Sequence, residues 1–352
     1  MKIVVTGGCG YIGLHLCKQL AEAGHEVVVL DKCLFPSGVT ALAKVAPEAI
    51  LIRKDIRAVT ADDFAGVDAV CHLGGLSNDP TADYNPDANW AINCDATVTL
   101  AATAKDAGVW RFTFASTASV YGDSHAAALT EESPVSPHSN YSQAKLAAEE
   151  RLLDWTADGD FEPIILRQAT VSGWSWRMRW DLVVNTMVKS ALRYGTICVH
   201  AGGEAFRPII DVQDVAEAHV RFLDAKDVGG QVFNVAHRRQ PHGAASPLSE
   251  GYTIACLALY VKELLYEAGH EATVYGDWSR SEGRSYDMSC HKMRNALQWE
   301  PQRGVRAMVR SLLDEFSVDD LRRTDDPECY NIAWMTALDQ GAKIAAQDGG
   351  VF

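Results

Sequence analysis

The chain begins with a short run of β-branched residues that ends in glycines, and the alternation of apolar run and helical spacing then repeats through its first half. "KIVVTG" leads into a helical pattern around Tyr11–Ala23, and "HEVVVLD", "AILIRKD" and "DAVCHLGG" follow as further strand-like runs. A helical pattern covers about Ala91 to Ala107, after which "RFTFAST" reads as another strand. Strands separated by helices or crossovers pair in parallel through right-handed connections and are covered on both faces. The pattern therefore predicts an α/β fold built on a doubly wound parallel sheet. Beyond about residue 174 the rhythm loosens into a loop-like stretch, "HRRQPHGAASPLSEGY", helical spacing near Ile254–Ala268 and Val305–Phe316, and a tail from Arg322. Three parts are expected: residues 1–173 with the main sheet, a smaller α/β unit over 174–321 from which some chain can return to that sheet, and a tail over 322–352.

Composition narrows the partners. With 352 residues, 47% of them hydrophobic and 22% charged, the chain can bury a sizeable core. The net charge of -14 comes from dispersed acids with no Lys/Arg-rich patch, which argues against nucleic acid. No apolar stretch approaches the ~18 residues of a membrane span, so no membrane partner is expected and the expected location is the cytoplasm. The nine cysteines include no C-x-x-C pair, the pattern of reduced thiols rather than a disulfide frame or zinc site. No metal is expected.

Four glycines, Gly7, Gly8, Gly10 and Gly13, fall between the first strand and the first helix. Glycine lets backbone turn tightly or approach a ligand closely. A strand-to-helix turn of this kind, here with Tyr11 and Ile12, offers backbone N–H groups and the positive helix end to a dinucleotide pyrophosphate. The spacing departs from G-x-G-x-x-G, and a glycine turn without a ligand is the alternative. Asp31 ends the second strand, where a carboxylate accepts from both hydroxyls of an adenosine ribose and repels a 2′-phosphate. This favours NAD over NADP, with Lys32 alongside softening the preference. Asp55 and Ile56, just past the third strand, are expected near the adenine, with a surface salt bridge as the equal alternative.

The second constellation is "YSQAK". Tyr141 and Lys145 stand four apart, one turn along a single helix face. A phenol titrates near ~10, but an adjacent ammonium and a cationic nicotinamide both favour the phenolate, so Tyr141 is expected to act as a base. The pair follows "FASTASVYG", where Thr117 is placed to hydrogen-bond a reacting oxygen and Ser116 and Ser119 are rivals for that task; local backbone satisfaction is the alternative for all three.

With these residues in place, the chain resembles the extended short-chain dehydrogenase/reductases, and within them the nucleotide-sugar epimerase/dehydratase group of UDP-glucose 4-epimerase type. "TGGCGYIG", "VVVLD", "CHLGGLSNDP", "FASTASVYG", "YSQAK", "LRQATVSG", "FRPIIDVQDVAEA" and "NALQWEP" match that group's pattern in order, to about residue 316. The resemblance implies a Rossmann domain holding NAD, a C-terminal domain for a nucleotide-diphosphate sugar, and a catalytic set of Tyr141, Lys145 and Thr117. It places Leu73, Gly74, Gly75, Asn93, Ser116, Tyr141 and Lys145 beside the cofactor, Lys145 anchoring the nicotinamide ribose. It places Ser77, Ser119, Thr170, Asn185, Arg207 and Arg284 on the substrate, Arg207 and Arg284 gripping its diphosphate and Asn185 contacting it from a helix start. It also implies a homodimer formed through a four-helix bundle by the helices near 94–107 and 141–157. Thr170 and Asp211 stand where many members carry asparagine and histidine.

The strand end bears on the reaction. The group's dehydratases carry an Asp-Glu pair after the catalytic threonine, because eliminating water needs an acid and a base, and its decarboxylating members tend to carry a glutamate at the position of Ser119. Here Ala118 and Ser119 follow Thr117. The leading expectation is a C4 epimerase that oxidises and re-reduces one carbon with retained NAD. A ketoreductase or dehydrogenase, a dehydratase or decarboxylase with relocated groups, and a non-catalytic NAD-binding protein are the alternatives. Trp174, Trp176, Arg177, Arg179 and Trp180 either wall the sugar pocket or pack between domains, and the tail from Arg322 covers the dimer surface or the site.

Overall fold

The structure is a computed structural model and describes residues 1–124, 128–155, 159–237, 252–277, 285–315 and 324–347. A seven-stranded parallel sheet forms the centre: β1 Lys2–Thr6, β2 Glu26–Asp31, β3 Ile50–Arg53, β4 Ala69–His72, β5 Arg111–Thr117, β6 Glu162–Gln168, and a last strand Gln231–Val235. Their order in space is Gln231–Val235, β6, β5, β4, β1, β2, β3. The chain thus winds outward from β1 on both sides, and a crevice opens past the C-terminal ends of β1 and β4, where ligands bind in open α/β sheets.

Both faces of the sheet are covered, which is why β4 and β5 are buried at every residue. On one face, Leu14, Leu16 and Leu20 of helix α1 (Gly13–Glu22) join Leu223 of the helix Val212–Asp224 against Ile3, Val5 and Val29. On the other, Leu100 and Ala104 of the helix Thr97–Asp106 and Ala148 and Leu152 of the helix Asn140–Leu153 pack on Val4, Val28 and Phe112. A separate core joins three helices, Val183–Tyr194, Ile254–Glu267 and Val305–Asp314, through Val184, Val188, Leu257, Val261, Met308 and Leu312. The stretch Val212–Val235 leaves this second group and supplies a covering helix and an edge strand to the main sheet.

Two elements differ from the sequence expectation. The helix expected over about 91–107 is interrupted: Pro86–Trp90 runs into a widened π turn, Ala91–Ala96, before Thr97–Asp106. Such turns often mark functional sites, and this one buries Asn93 beneath the loop after β4. The tail forms a helix, Asn331–Gln347, that lies against the first part of the chain: Trp334 Nε1 donates to Leu34 O at 2.6 Å and the Ser37 amide donates to Glu328 at 2.7 Å. The loop-like stretch after His237 lies mostly outside the described residues.

A polar pair in the core has a pH consequence. His219 is fully buried between Thr113 Oγ1, 2.8 Å from Nδ1, and Gln168 Nε2, 3.1 Å from Nε2. The amide N–H₂ donates to Nε2, which requires a neutral ring, and burial pulls the imidazole down to about 3. The unfolded chain then takes up a proton between about pH 6.5 and 3 that the folded chain does not. Stability is full above pH 6.5 and is lost as pH falls, by up to about 1.4 kcal/mol per pH unit for one such group. His219→Gln should flatten the pH dependence of urea unfolding between pH 6.5 and 4 by about that slope; an unchanged slope would mean that His219 is not held neutral.

Candidate active site

A cavity of about 400 Å³ opens over the ends of β1 and β4. Its floor at one end is the glycine turn. Gly7 has φ +70°, and a Cβ there would meet Gly74 N at 2.9 Å; a Cβ on Gly13 would lie 2.2 Å from Gly7 O. Side chains are thus excluded where the turn closes on the β4 loop and where α1 starts. No side chain caps α1, and Gly7, Gly10, Tyr11, Ile12 and Gly13 all line the cavity. This donor set at a helix N-terminus fits a diphosphate.

Asp31 lies at the end of β2 on the same wall, with Lys32, Asp55 and Ile56 beyond it. Its carboxylate accepts from Cys33 N at 2.6 Å and Cys9 N at 3.0 Å, which fixes its direction and leaves further lone pairs for a ligand. Burial raises its pKa against the lowering effect of these two amides. Lys32 Nζ sits 3.0 Å from Asp55, which also holds Arg57 at 2.7 Å. Asp55 therefore serves a surface ion pair and caps the turn Ile56–Ala58 as well as bordering the cavity. Cys9 and Cys33 flank Asp31 closely enough that the three ligand atoms lie within 4.8 Å of one another. Burial and the Asp31 charge raise both thiols, and a protonated thiol is a poor metal ligand.

The loop after β4 forms the middle of the cavity. Leu73, Gly74, Gly75 and Ser77 line it, and Asn93 braces it from behind, accepting from Leu76 N at 3.0 Å and donating to Leu76 O at 2.8 Å. Asn93 itself is fully buried, so it acts through this loop.

The helix Asn140–Leu153 starts at a capping box in which Ser139 accepts from Ser142 N, and it carries Tyr141, Lys145 and Glu149 on one face. Tyr141 lines the cavity with Ser116, Thr117 and Ser119 from the end of β5. Thr117 Oγ1 accepts from Ser119 N at 3.1 Å, which leaves its hydroxyl hydrogen to be donated elsewhere. Lys145 is 4% exposed and stands behind the wall, its Nζ donating to Ala115 O at 2.9 Å and lying 6.0 Å from the centre of the Tyr141 ring. Burial pulls Lys145 down to about 8, opposed by Glu149. Among the chain's own groups, burial first and then the Asp79 charge push the Tyr141 phenol well above its ordinary range, opposed by Arg179; the lowering expected from a cationic nicotinamide belongs to the cofactor-bound site.

Behind this face lies a buried network that the motif did not reveal. Glu149 pairs with Arg167 of β6 at 2.8 Å and accepts from Ser116 Oγ. Arg167 also donates to the Tyr121 hydroxyl at 3.1 Å, which donates to Asn234 at 2.7 Å. Glu149 holds Arg167 charged above its ordinary range although burial opposes it. The signal available in the sequence was the i, i+4, i+8 spacing of Tyr141, Lys145 and Glu149 on one helix face.

The substrate-side residues divide. Thr170 and Arg207 line the cavity, with Arg207 donating to Phe206 O and lying 5.3 Å from the Tyr286 ring. Asn185 does not reach it: its Oδ1 accepts from Gly173 N, and its Nδ2 donates to the Tyr11 hydroxyl and Arg179 O. Both ends of that amide are thus spent, the Nδ2 end in part on joining this helix to Tyr11 of the glycine turn. Arg284 lies outside the described residues. Ser77 Oγ accepts from Arg179 at 3.1 Å and from Asn331 at 2.9 Å. In the tryptophan-arginine segment, Trp174 and Trp176 pack on His15 and Trp180 is buried in the second core, whereas Arg177 and Arg179 line the cavity. Arg179 is already paired in two contacts with Asp181. Asp79, Asn331 and Met335, to which the sequence assigned no role, also border the cavity.

The chain matches known proteins over most of its length. It is 28% identical over 337 residues to UDP-glucose 4-epimerase of Bacillus subtilis, covering 88% of this chain and 94% of that one. It is also 28% identical over 324 residues to UDP-glucuronic acid decarboxylase 6 of Arabidopsis thaliana, covering 90% and 89%. Among solved structures it is similar to UDP-glucuronic acid 4-epimerase from Bacillus cereus, in complex with UDP-glucuronic acid and NAD, with a TM-score of 0.75 at 23% identity, covering 89% and 98%. The family model described as the NAD dependent epimerase/dehydratase family matches residues 3–236. With the glycine turn, Asp31 and Tyr141 gathered on one cavity, Lys145 behind Tyr141, and a family match over residues 3–236, this chain belongs to the NAD-dependent epimerase/dehydratase family.

Proposed function

We propose that the protein is a redox-neutral epimerase of a nucleotide-diphosphate sugar, acting at C4 and retaining its NAD. The observation that carries this reading is the end of β5. Ala118 and Ser119 follow Thr117 where elimination or decarboxylation would call for an acid-base pair. Among the described residues lining the cavity, the carboxylates are Asp31 and Asp55 at the ribose end and Asp79, which already accepts from Ser139 Oγ at 2.5 Å. That leaves one proton acceptor at the reacting centre, Tyr141, and chemistry that needs no second.

Bound NAD supplies a hydride acceptor that can return what it takes, and a positive ring beside the phenol. Tyr141 takes the proton of the C4 hydroxyl and later gives it back. Thr117 donates to the same oxygen and fixes its direction. Lys145, held against Ala115 O, keeps a positive charge behind Tyr141 up to about pH 8, and Arg179 adds another from the front. Arg207 and the second core hold the nucleotide diphosphate, a task for which a guanidinium fork is suited, and Arg284 is assigned to the same task. Rotation of the 4-keto sugar between the two proton transfers inverts C4. The reading places residues 1–173 with the returning strand on the cofactor and the rest of 174–321 on the substrate. It places the enzyme in the cytoplasm as a homodimer joined along the helices 97–106 and 140–153.

The test is proton NMR of the purified protein with a panel of UDP-, dTDP- and GDP-sugars, uronic acids included, without added cofactor. A second sugar stereoisomer should appear. Silence across the panel, followed by stoichiometric NADH consumption on 4-keto sugars, would make the protein a ketoreductase instead.

The ribose assignment carries its own expectation. Asp31→Ala should weaken NAD far more than NADP, since the carboxylate accepts from the ribose hydroxyls in one and repels the 2′-phosphate in the other. Equal losses for both cofactors, read by tryptophan quenching, would reduce Asp31 to its clasp on Cys9 and Cys33.

A further inference from the structure

Arg177 is a buried cation whose hydrogen-bond partner, Asn331, is neutral. It is 3% exposed, and its guanidinium carbon lies 3.6 Å from the centre of the Phe35 ring. Nη2 donates to Asn331 Oδ1 at 2.7 Å, while Nε is buried without a hydrogen-bond partner. Burial first and then Arg179 pull the group down to about 9, opposed by Asp181, Cys329 and Glu328, and its charge in turn lowers the nearby Asp31. A buried donor in this position is costly until an acceptor reaches it, more so when charged. Nε is closed off from the cavity, but Arg177 lines it, so a ligand acceptor can meet the rest of the guanidinium there.

Its place in the fold says which ligand group. Ser175 Oγ donates to Tyr11 O at 2.8 Å and the Tyr11 hydroxyl donates to Gly173 O, so the segment from 173 to 177 is fastened over the glycine turn. Phe35, on which the guanidinium stacks, follows Asp31 on the ribose side. The guanidinium thus lies against Phe35 and near Asp31, two residues after a segment that Gly173 and Ser175 tie to Tyr11 of the glycine turn. We propose that Arg177 binds the diphosphate of NAD, closing from above an anion site whose floor is the Gly7–Gly13 turn, and that the tail helix holds it there through Asn331.

The second half of the proposal follows from the same contacts. Asn331 bridges Arg177 to Ser77 Oγ across the mouth of the cavity, Met335 lines it, and Trp334 is tied to Leu34 O. A dinucleotide beneath this bridge leaves only when the bridge opens. The proposal rests on the family's NAD requirement and not on the epimerase reading, so either can fail without the other.

The test measures cofactor binding on the full-length protein. NAD, ADP-ribose and adenosine are titrated into the cofactor-stripped wild type and Arg177→Met, and the NAD that co-purifies with each is released by acid and counted. Arg177→Met should lose about 10- to 100-fold in affinity for NAD and ADP-ribose, the range of a charged hydrogen bond, and less than twofold for adenosine, with Arg177→Lys recovering part of the loss. Unchanged NAD affinity, or an equal loss for adenosine, overturns the diphosphate assignment. Tighter binding of NADP than of NAD to the wild type also overturns it, by moving the guanidinium to the 2′-position. Asn331→Leu removes the tether and leaves the arginine, and serves where Arg177→Met does not fold: NAD should dissociate about tenfold faster or more, and an unchanged rate overturns the bridge.

Discussion

Tyr141→Phe should lower turnover by about 10²- to 10⁴-fold, the contribution of a positioned proton acceptor, while the protein keeps its NAD and its stability. The phenyl ring keeps its place at the start of the helix Asn140–Leu153, and no hydrogen bond that positions another residue in the cavity runs through the phenolic oxygen among those described. The loss should fall on kcat with little change in KM, because the proton moves in the transition state and not on binding. The raised pKa of the phenol makes the effect of charge around it measurable as well: Arg179 and Lys145 are the cations set to favour its ionised form. Near-normal turnover in Tyr141→Phe would remove it from the chemistry and turn attention to Asp79, the carboxylate on the same wall.

Glu149→Ala should be the most damaging substitution away from the cavity. The carboxylate is 1% exposed and its Arg167 partner 7%, so removing it strands a buried guanidinium, a change that costs about 3–5 kcal/mol. It also frees Ser116 Oγ and withdraws the negative charge that supports Lys145. The lysine, already near 8, should then lose its proton at lower pH. Urea unfolding gives the stability change, and the alkaline limb of the pH-rate profile gives the second effect, which should move to lower pH. Replacing both partners together, Glu149→Met with Arg167→Met, should recover much of the stability but not the pH profile. A cost below about 1 kcal/mol for Glu149→Ala would mean that the pair is far better solvated than its burial implies.

The main sheet and the cofactor side were legible in the sequence because each step there is local. A β-branched run, a glycine turn and an acid at the next strand end are all set within about thirty residues, and backbone geometry leaves few alternatives. Tyr141 and Lys145 were legible for the same reason, being one turn apart on one helix. The pKa of Tyr141 was not, since it depends on burial and on Asp79 and Arg179, which come from other elements. Asn185 was misplaced because a short polar side chain at a helix start has many uses, and which it takes depends on the approach of Tyr11 from 174 residues away. Arg167 and Arg177 each read as one arginine among many. Their contacts exist only where β6 meets the helix after Ser139 and where the tail helix returns to the segment after Gly173. The tail itself carries no motif, and its position is set by scattered contacts such as Trp334 with Leu34 O and Glu328 with Ser37 N.

In the proposed epimerisation hydride leaves and returns to the same carbon, and no other carbon of the sugar exchanges a proton. The substrate found by NMR should therefore be converted in D₂O by the purified protein without added cofactor, and the product examined for deuterium. A C4 epimer that carries no carbon-bound deuterium is expected. Deuterium at C5 or C6, or loss of water or carbon dioxide, would contradict it and make the protein one of the family's dehydratases or decarboxylases.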